Sequence, residues 1–595
     1  MDRSPEHAAF PLEDFAADYF QEIRDVSIEP TGVEKSFYLD LAERIVRVAV
    51  AWQDDAGRII DPNVGEEWNH SSPRYASSVA PLIAMGRCED LLDSCIACID
   101  VSVSDLAAGQ AKAPDFAPRD LVLAIDCLKG KVDEQLVARW KNALGTYDPQ
   151  EMYVSVSSKK KPEDIHNFSI YNFTGEQMKR YLGAANNIDF IDEHIEIQKQ
   201  KFNAYGMYCD PNCPMTYDLT DRQNLVLMLR YGYDGKHRAF LDEMLRRGGL
   251  TQLFYQSTTG EAPFGGRSNQ FHHMEGMFAC NAEFEAGRYA AAGDKQMAGV
   301  FKRAARRAVL STARWVRDAT PFRHIKNMYD PATLHGCDSY GHVSVYSLLA
   351  SNLFAYAALI ADDSIPEQAA PCDVGGYVVP ILEGFHRVYA SCGPLHLAID
   401  TCAQPGYDAT GLCRLHHRDA PSELALSLGI CWKPHYKVTE PSHSDCAAIG
   451  PCWQCCEERR EYTSLAATHP TSAGLTTVER RLDRVAFRLV YELEAPVVEE
   501  YVLTPDALEL TATCATAPIR FTVPLILSDG AEASSIQQGG GGFTVGYRGA
   551  TFRAECRDEA TSDRLGVRAP NRNAVYDIGC FDAPGKRIRM RFTVT

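Results

Sequence analysis

The sequence predicts a chain of two parts, an (α/α) toroid followed by an antiparallel β-sandwich. Apolar residues recur at helical spacing up to about residue 365, and short β-branched runs between turn clusters replace them afterwards. The length agrees with two domains, because 595 residues exceed the size at which a single core stops growing, roughly 250–300. The predicted domains are residues 1–365 for the toroid and 372–595 for the sandwich.

The first part is predicted to be helical because its apolar residues recur every three or four positions in thirteen stretches. Short turns such as Asp234-Gly235 and Gly248-Gly249 separate the stretches, so consecutive helices should pair as antiparallel neighbours. Six or seven such pairs favour a toroid over a four-helix bundle. The predicted helices are 11–27, 36–52, 74–87, 90–107, 119–129, 134–144, 165–183, 188–203, 220–231, 238–247, 271–291, 296–317 and 340–360.

The second part begins after ADDSIPEQAAPCD (361–373), which is predicted to be a linker. Alternating runs rich in β-branched residues follow, with turn clusters such as the four glycines at 539–542 between them. Many short strands at roughly even spacing indicate an antiparallel sandwich. The predicted strands are 375–381, 385–390, 395–401, 476–480, 484–493, 498–503, 507–513, 518–526, 543–547 and 586–594.

Charge and composition exclude several classes of partner. The net charge is −19, so neither nucleic acid nor an anionic membrane surface is expected to bind. The first twenty residues lack the basic region and apolar core of a signal peptide, and no run reaches the ~20 apolar residues of a membrane span. We therefore expect a cytoplasmic protein whose 20 cysteines are mostly reduced. The sequence leaves the oligomeric state open, a homo-oligomer included.

The densest group of polar side chains lies in 261–285, where a Gly-Gly turn leads into a predicted helix start. Capping alone would not require an arginine, two amides, two histidines and a glutamate so close together. His272 and Glu275 are three residues apart on one helix face, so Glu275 could orient the imidazole. The candidates here are Arg267, Asn269, Gln270, His272, His273 and Glu275.

Further candidates lie in 323–346 and 383–419. Asp338 or Ser339 would cap the next helix, but capping does not explain the neighbouring histidines and tyrosine. His396 lies in an apolar strand, where a histidine is more often structural. Trp68, at another helix start, could stack on a sugar ring. The remaining candidates are His335, Asp338, Tyr340, His342, Arg414, His416 and His417.

The order of toroid and sandwich resembles the heparinase II/III-like group of polysaccharide lyases, and so does Asp338-Ser339-Tyr340. That group carries its catalytic tyrosine in an Asp-Gly-Ser-Tyr stretch, although here no glycine separates Asp338 from Ser339. The resemblance implies a lyase in which Tyr340 acts on substrate. It also implies that a sandwich histidine, His396, His416 or His417, reaches the toroid cleft together with residues 267–275 and 335–342.

The leading hypothesis is β-elimination on an acidic, uronate-containing oligo- or polysaccharide. The carboxylate beside C5 must be neutralised before the C5 proton becomes acidic, which Arg267, Asn269 and Gln270 could do. Tyr340 is assigned as the acid and could also be the base, and His272 or His273 is assigned as the base or a carboxylate neutraliser.

Two alternatives stay open. A toroid glycoside hydrolase such as a glucuronidase would need two carboxylates, for which Glu275 and Asp338 with Glu66 or Glu67 are candidates. A non-catalytic glycan-binding protein would need aromatic platforms but not this set of histidines, tyrosine and amides.

No cofactor is firmly predicted. His443, Cys446, Cys452 and Cys455 have the types that bind a structural divalent metal such as zinc, but their spacing fits no standard zinc motif.

Overall fold

The structure is a computed structural model that describes residues 8–146, 148–158, 160–316, 322–442, 444–456, 461–515 and 517–595. Over these residues the chain forms sixteen α-helices followed by eighteen strands. The helices are α1 Glu13–Glu22, α2 Lys35–Ala49, α3 Ser71–Ala84, α4 Leu92–Ala107, α5 Ala117–Leu128, α6 Glu134–Gly145, α7 Pro149–Met152, α8 Val154–Ser157, α9 Asn167–Leu182, α10 Ile188–Gln198, α11 Met215–Arg230, α12 Arg238–Tyr255, α13 His273–Ala291, α14 Lys295–Ala313, α15 Val343–Ile360 and α16 Pro371–Val374.

Six of the helices form a closed ring. Helices α3, α5, α9, α11, α13 and α15 contact one another in that order, and α15 also contacts α3. At least one other helix lies between each consecutive pair along the chain, and α2, α4, α10 and α14 pack against ring helices. The ring helices are buried on nearly all sides, whereas α2 alternates buried and exposed positions. This arrangement is the predicted toroid.

All thirteen predicted helices are present. The largest difference is at α12, which runs to Tyr255 instead of 247, and α11 begins five residues before its predicted start. In α11 the polar side chains Thr216, Asp218 and Asp221 are buried, so the apolar period that marks an exposed helix is missing from its first turns. Helices α7, α8 and α16 have four residues each and were too short to give a period.

One ring helix is long and apolar enough to cross a membrane by length and composition. This helix is α15, and 83% of its apolar window is buried inside the protein. Burial of this extent is what the core helix of a closed ring requires.

The strands form three antiparallel sheets. One has the order β1-β2-β3-β4, the second β12-β13-β14-β18-β10-β9-β8-β7, and the third β15-β17-β11-β5-β6, with β16 paired to β17. The strands are β1 Gly375–Ile381, β2 Arg387–Cys392, β3 Leu395–Asp400, β4 Gly411–His417, β5 Gly450–Cys456, β6 Glu461–Ser464, β7 Ser472–Arg481, β8 Arg484–Glu492, β9 Val497–Thr504, β10 Ala507–Cys514, β11 Ile519–Ser528, β12 Ser535–Gly539, β13 Gly542–Tyr547, β14 Ala550–Cys556, β15 Thr561–Arg564, β16 Ala569–Pro570, β17 Val575–Asp582 and β18 Arg587–Val594.

The sheets enclose a single apolar core. The eight-stranded sheet contacts β1 and β2 through β7–β9, and it contacts β5 and β11 through β10 and β18. A backbone bridge between Leu412 and Ile449 links the two smaller sheets, so together they form the second layer of a sandwich. The predicted fold class is therefore confirmed, with the second layer divided into two sheets.

Several strands escaped prediction for a physical reason. β17 is buried on both faces and shows no alternation, while β4 carries Arg414 and His416 in buried positions. Polar residues at buried positions hide the hydrophobic pattern on which strand prediction depends.

The chain forms two compact units. The helical unit comprises Met1–Gln252, Phe271–His324 and Tyr340–Gln368, and the strand-rich unit comprises Leu253–Gln270, Ile325–Ser339 and Ala369–Thr595. Two segments that precede the linker thus belong to the strand-rich unit. The predicted boundaries 1–365 and 372–595 treat each part as continuous and stay a prediction.

Candidate functional site

The N-terminal ends of the ring helices gather at one end of the helical unit. Ser71 Oγ at the start of α3 lies 2.9 Å from Ser344 Oγ at the start of α15. The Phe116 ring, just before α5, contacts the Tyr171 ring in the first turns of α9 with centroids 4.7 Å apart. Because each helix N-terminus carries a partial positive charge, this end of the ring attracts anions.

Trp68 contacts both Tyr340 and His342 at this end. Trp68 Nε1 donates to the Tyr340 carbonyl over 3.1 Å, and the indole ring lies 4.2 Å from the His342 imidazole. All three residues are half-buried, whereas most of the neighbouring helix starts are buried. The structure therefore brings together three of the predicted site residues, and their side chains retain access to solvent.

His272 and His273 lie next to the same segment of chain. The His272 backbone N–H donates to the His324 carbonyl over 3.2 Å, and His324 Nε2 donates to the Gly341 carbonyl over 2.7 Å. The His273 ring meets Tyr346 edge-on at 4.7 Å, and Tyr346 in turn lies 6.4 Å from Tyr340. His272 and His273 thus join the group that contains Tyr340 and His342.

His324 connects these segments and was not among the predicted site residues. Burial lowers the pKa of its imidazole to about 4, so the ring is neutral at pH 7. A neutral imidazole that donates through Nε2 can hold the Gly341 turn without adding charge. Its role is to position the turn that carries Tyr340 and His342.

A buried charged cluster lies deeper at the same end, on α3, α5 and α9. Arg119 donates to Asp120 over 2.7 Å and lies 4.7 Å from the Tyr171 ring centroid. Arg74 donates to the Val345 carbonyl over 2.9 Å, and its Nε is 3.6 Å from Asp120. Burial lowers the pKa of Arg74 and raises that of Tyr171. Arg119 and Asp120 escaped prediction because their helix reads as an ordinary apolar segment.

Strained backbone marks the same helix starts. Asn69, His166, Cys213 and Gln270 have φ angles of 50°, 56°, 45° and 65°, a region that L-residues rarely adopt. They precede α3, α9, α11 and α13 by one to three residues. Strained backbone persists only where the surrounding structure holds it in place, and it is found most often at functional sites.

The amides Asn269 and Gln270 belong to the strand-rich unit. Gln270 Nε2 donates to Asn269 Oδ1 over 2.7 Å, and Gln270 Oε1 accepts from Asn573 over 3.2 Å. Asn269 is 1% exposed, and among the described residues its Nδ2 has no hydrogen-bond partner. A buried amide donor left unpaired is costly, so Asn269 stays a candidate for binding a substrate oxygen.

The Gly-Gly turn before Arg267 is fixed by close packing. A side chain at Gly265, which has φ +134°, would overlap the Arg387 guanidinium. The next residue, Gly266, donates its N–H to Asp408 over 2.8 Å. Arg267 itself is half-buried.

Asp338 and His335 are held by bonds within the strand-rich unit. Arg572 Nη1 and Nη2 donate to the two carboxylate oxygens of Asp338 over 2.9 and 3.1 Å. His335 Nε2 donates to the Asn571 carbonyl over 2.8 Å, while its Nδ1 accepts from the Thr439 N–H over 3.1 Å. Both side chains therefore have structural tasks, and Arg572, 234 residues away along the chain, had not been predicted as a partner.

The predicted sandwich residues lie on strands β3 and β4, where His396 and His416 are cross-strand neighbours. His416 Nδ1 is 2.8 Å from Ser257 Oγ, and Arg414 donates to the Ala262 carbonyl over 2.8 Å. His396 is fully buried, its Nδ1 lies 2.8 Å from Ser391 Oγ, and its Nε2 has no partner among the described residues. His417 is half-buried and accepts from the Asp419 N–H. The expected single cleft for these histidines, 267–275 and 335–342 stays a prediction.

Most of the carboxylates expected for hydrolysis are engaged as ion pairs. Glu66 lies 2.6 Å from Lys112 Nζ, and Glu67 lies 3.3 Å from Arg58 and accepts from the Ser72 N–H. Asp338 is paired with Arg572 as described above. Glu275 is fully buried in the first turn of α13.

The metal hypothesis concerned His443, Cys446, Cys452 and Cys455. His443 lies outside the described residues, and among those described no group of three or more potential ligands could hold a metal ion. Cys452 is buried beside Thr522 Oγ1 at 3.7 Å, and Cys455 is exposed.

Comparisons with known proteins identify the fold. No family model and no curated protein sequence match the chain. A chondroitin AC lyase of Streptomyces coelicolor A3 is similar in structure, with 11% identity, a TM-score of 0.51 and coverage of 98% of this chain and 82% of that one. A Paenibacillus xanthan lyase gives 9% identity, a TM-score of 0.53 and coverage of 97% and 60%. The chain has the polysaccharide lyase fold.

This fold confirms the resemblance to polysaccharide lyases that the order of toroid and sandwich predicted. The chain spans 60% of the length of the xanthan lyase. With identities of 9% and 11%, the likeness concerns the fold, and the chemistry must be argued from the residues of this chain.

Proposed function

We propose that the protein is a lyase that cleaves an acidic, uronate-containing oligo- or polysaccharide by β-elimination. The observation that carries this proposal is the contact of Trp68 with both Tyr340 and His342 at the N-terminal end of the helix ring. The group combines two proton-transfer side chains with an aromatic surface suited to a sugar ring. The lyase fold, shared with chondroitin and xanthan lyases, supports the same chemistry.

The reaction requires three chemical steps. A base removes the C5 proton, the C4–O bond breaks, and an acid gives a proton to the departing oxygen, which leaves a C4=C5 double bond beside the carboxylate. Tyr340 is the proposed acid, and His272 or His273 the base. His342, half-buried beside Trp68, adds an imidazole that the substrate can reach.

Neutralising the substrate carboxylate is the electrostatic requirement. The ring end supplies helix N-termini and the buried guanidinium groups of Arg74 and Arg119, partly balanced by Asp120. Arg267, Asn269 and Gln270 remain proposed carboxylate ligands, and the unpaired amide of Asn269 supports its inclusion.

Hydrolysis by paired carboxylates is less well supported. Three of the four acidic residues proposed for it, Glu66, Glu67 and Asp338, are held in ion pairs. Hydrolysis needs a pair of carboxyl groups about 5–9.5 Å apart across the bond, and carboxylates engaged in ion pairs are less available for that role.

A cytoplasmic location and short imported substrates are part of the proposal. Cys95, Cys98, Cys280 and Cys413 are buried free thiols. Free thiols support a reducing compartment.

Product analysis tests the proposal. The protein is incubated with uronate oligosaccharides, both sulfated and unsulfated, and the products are followed by ultraviolet absorbance and mass spectrometry. Elimination gives a conjugated, absorbing uronate whose mass, added to that of the other fragment, equals the mass of the substrate. Products that carry an added water and do not absorb would replace the proposal with hydrolysis.

A further inference from the structure

A pocket of about 240 Å³ lies within the strand-rich unit. Three loops form it: the β3–β4 connection, the segment after Ile430, and the turn that follows β6. The volume is smaller than the roughly 300–1,000 Å³ of sites for drug-sized ligands, and it suits a single sugar ring. The lining side chains used below are Asp408, Trp432, Lys433, His435 and His469.

The rim of the pocket presents an exposed indole. Trp432 is 52% exposed, which is unusual for the largest apolar side chain. Lys433 Nζ lies 4.1 Å from the centroid of this ring, so a positive charge lies beside the aromatic face. An indole and an ammonium side by side match a ligand with an apolar ring face and an acidic group.

The shape of the pocket wall is fixed by a glycine. Gly406 has φ +83°, and a Cβ there would lie 2.7 Å from three atoms of the His435 ring. The His435 N–H also donates to the Gly406 carbonyl over 2.8 Å. The imidazole is thereby held flat against the backbone, and Tyr407 meets its ring edge-on at 5.2 Å.

The accessible charge in the pocket is positive or neutral. Asp408 is the only carboxylate among its described lining residues, and it is buried. It is paired with Arg387 Nη2 at 3.1 Å and accepts from the Gly266 N–H at 2.8 Å. Lys433, His435 and His469 remain exposed, in a chain whose net charge is −19. A local cationic rim on an acidic protein favours an anionic ligand.

We infer that this pocket is a second glycan-binding subsite, which holds one anionic sugar ring of the substrate against Trp432 and Lys433. The identity of the ligand rests on the proposed function, since an enzyme acting on acidic oligosaccharides meets such rings in every substrate chain. The subsite carries out no chemistry. It raises the affinity for substrates long enough to be held at a second point.

Residue-resolved footprinting tests the subsite without requiring cleavage. Oxidation of Trp432 by hydroxyl radicals is measured by mass spectrometry with a chondroitin sulfate oligosaccharide, an oligoalginate or a neutral cello-oligosaccharide. We expect the acidic oligosaccharides to slow Trp432 oxidation several-fold and the neutral one to leave it unchanged. Lys433→Gln should reduce the protection.

The chain supplies a matched internal control. Tyr181 is 54% exposed, and Lys129 Nζ lies 5.6 Å from its ring, but it does not line this pocket. Its oxidation should be the same with and without every oligosaccharide. Equal protection of Tyr181 and Trp432 would mean non-specific binding, and equal protection of Trp432 by acidic and neutral sugars would remove the charge argument. Either result overturns the inference.

Kinetics separate this inference from the proposed function. With Trp432→Ala, KM for long acidic chains should rise about tenfold, while kcat/KM for the shortest cleaved oligosaccharide should not change. Protection of Trp432 in a protein that cleaves no uronate would leave the subsite standing and remove the lyase proposal. Cleavage of uronate oligosaccharides without protection of Trp432 would support the lyase proposal and remove the subsite.

Discussion

Replacing Tyr340 by phenylalanine removes one hydroxyl group and keeps the ring. The ring contact with Tyr346 at 6.4 Å and the hydrogen bond from Trp68 to the backbone carbonyl of Tyr340 are both preserved. The free energy of unfolding should therefore fall by no more than one hydrogen bond, about 0.5–1.5 kcal/mol. Loss of a general acid should instead reduce the rate about 10²–10⁴-fold, or roughly 2.7–5.5 kcal/mol of activation free energy.

The assay measures kcat and KM on uronate oligosaccharides by the absorbance of the unsaturated product, together with thermal unfolding. The loss should fall mainly on kcat, because the proton transfer develops in the transition state. Tyr329→Phe is the matched control, since Tyr329 is also a half-buried tyrosine in the same stretch of sequence, but stacks on the structural His335 at 3.7 Å. It should retain near-normal turnover.

Glu275→Gln distinguishes elimination from hydrolysis when turnover is followed by mass spectrometry, which detects both kinds of product. A lyase should keep measurable activity, because there the carboxylate at most orients a histidine. A hydrolase that uses Glu275 as acid or base should be nearly inactive. Near-normal turnover of Tyr340→Phe together with an inactive Glu275→Gln would refute the lyase reasoning.

Two further predictions concern stability. Arg572→Leu leaves the Asp338 carboxylate buried without its bidentate partner and should lower the free energy of unfolding by about 3–5 kcal/mol, measured with denaturant. Arg568→Leu breaks an ion pair with Glu440 that is half-exposed on the arginine side, so it should lower the free energy of unfolding by less than about 1 kcal/mol. Equal losses in the two variants would contradict this prediction. His324 and His335 have pKa values of about 4 in the fold, below the ordinary 6.5, so the unfolded chain binds more protons between those values. Their contribution to stability is complete above pH 6.5 and is lost as the pH falls towards 4, on the order of 2 kcal/mol each by pH 5. His335→Gln should make the pH 7 to pH 5 decrease in the unfolding midpoint shallower, and an unchanged pH dependence would contradict the assignment.

The sequence alone determined the features that depend on local periodicity. All thirteen predicted helices are present, and the change from helical to alternating spacing near residue 361 precedes the first strand, at Gly375. Helix starts also carry their own polar signals, so Tyr340, His342 and Trp68 could be chosen from residue types and position. These signals arise because backbone hydrogen bonds within a helix and the burial of one face are short-range requirements.

Only the tertiary structure decided which polar residues belong together. Trp68 and Tyr340 meet although 272 residues separate them, and Asp338 is paired with Arg572 from the segment between β16 and β17. His335 reads like a substrate ligand in the sequence, yet Asn571 and Thr439 use both of its nitrogens. Whether a buried polar side chain is available for chemistry depends on partners brought by long-range packing, which no local pattern encodes.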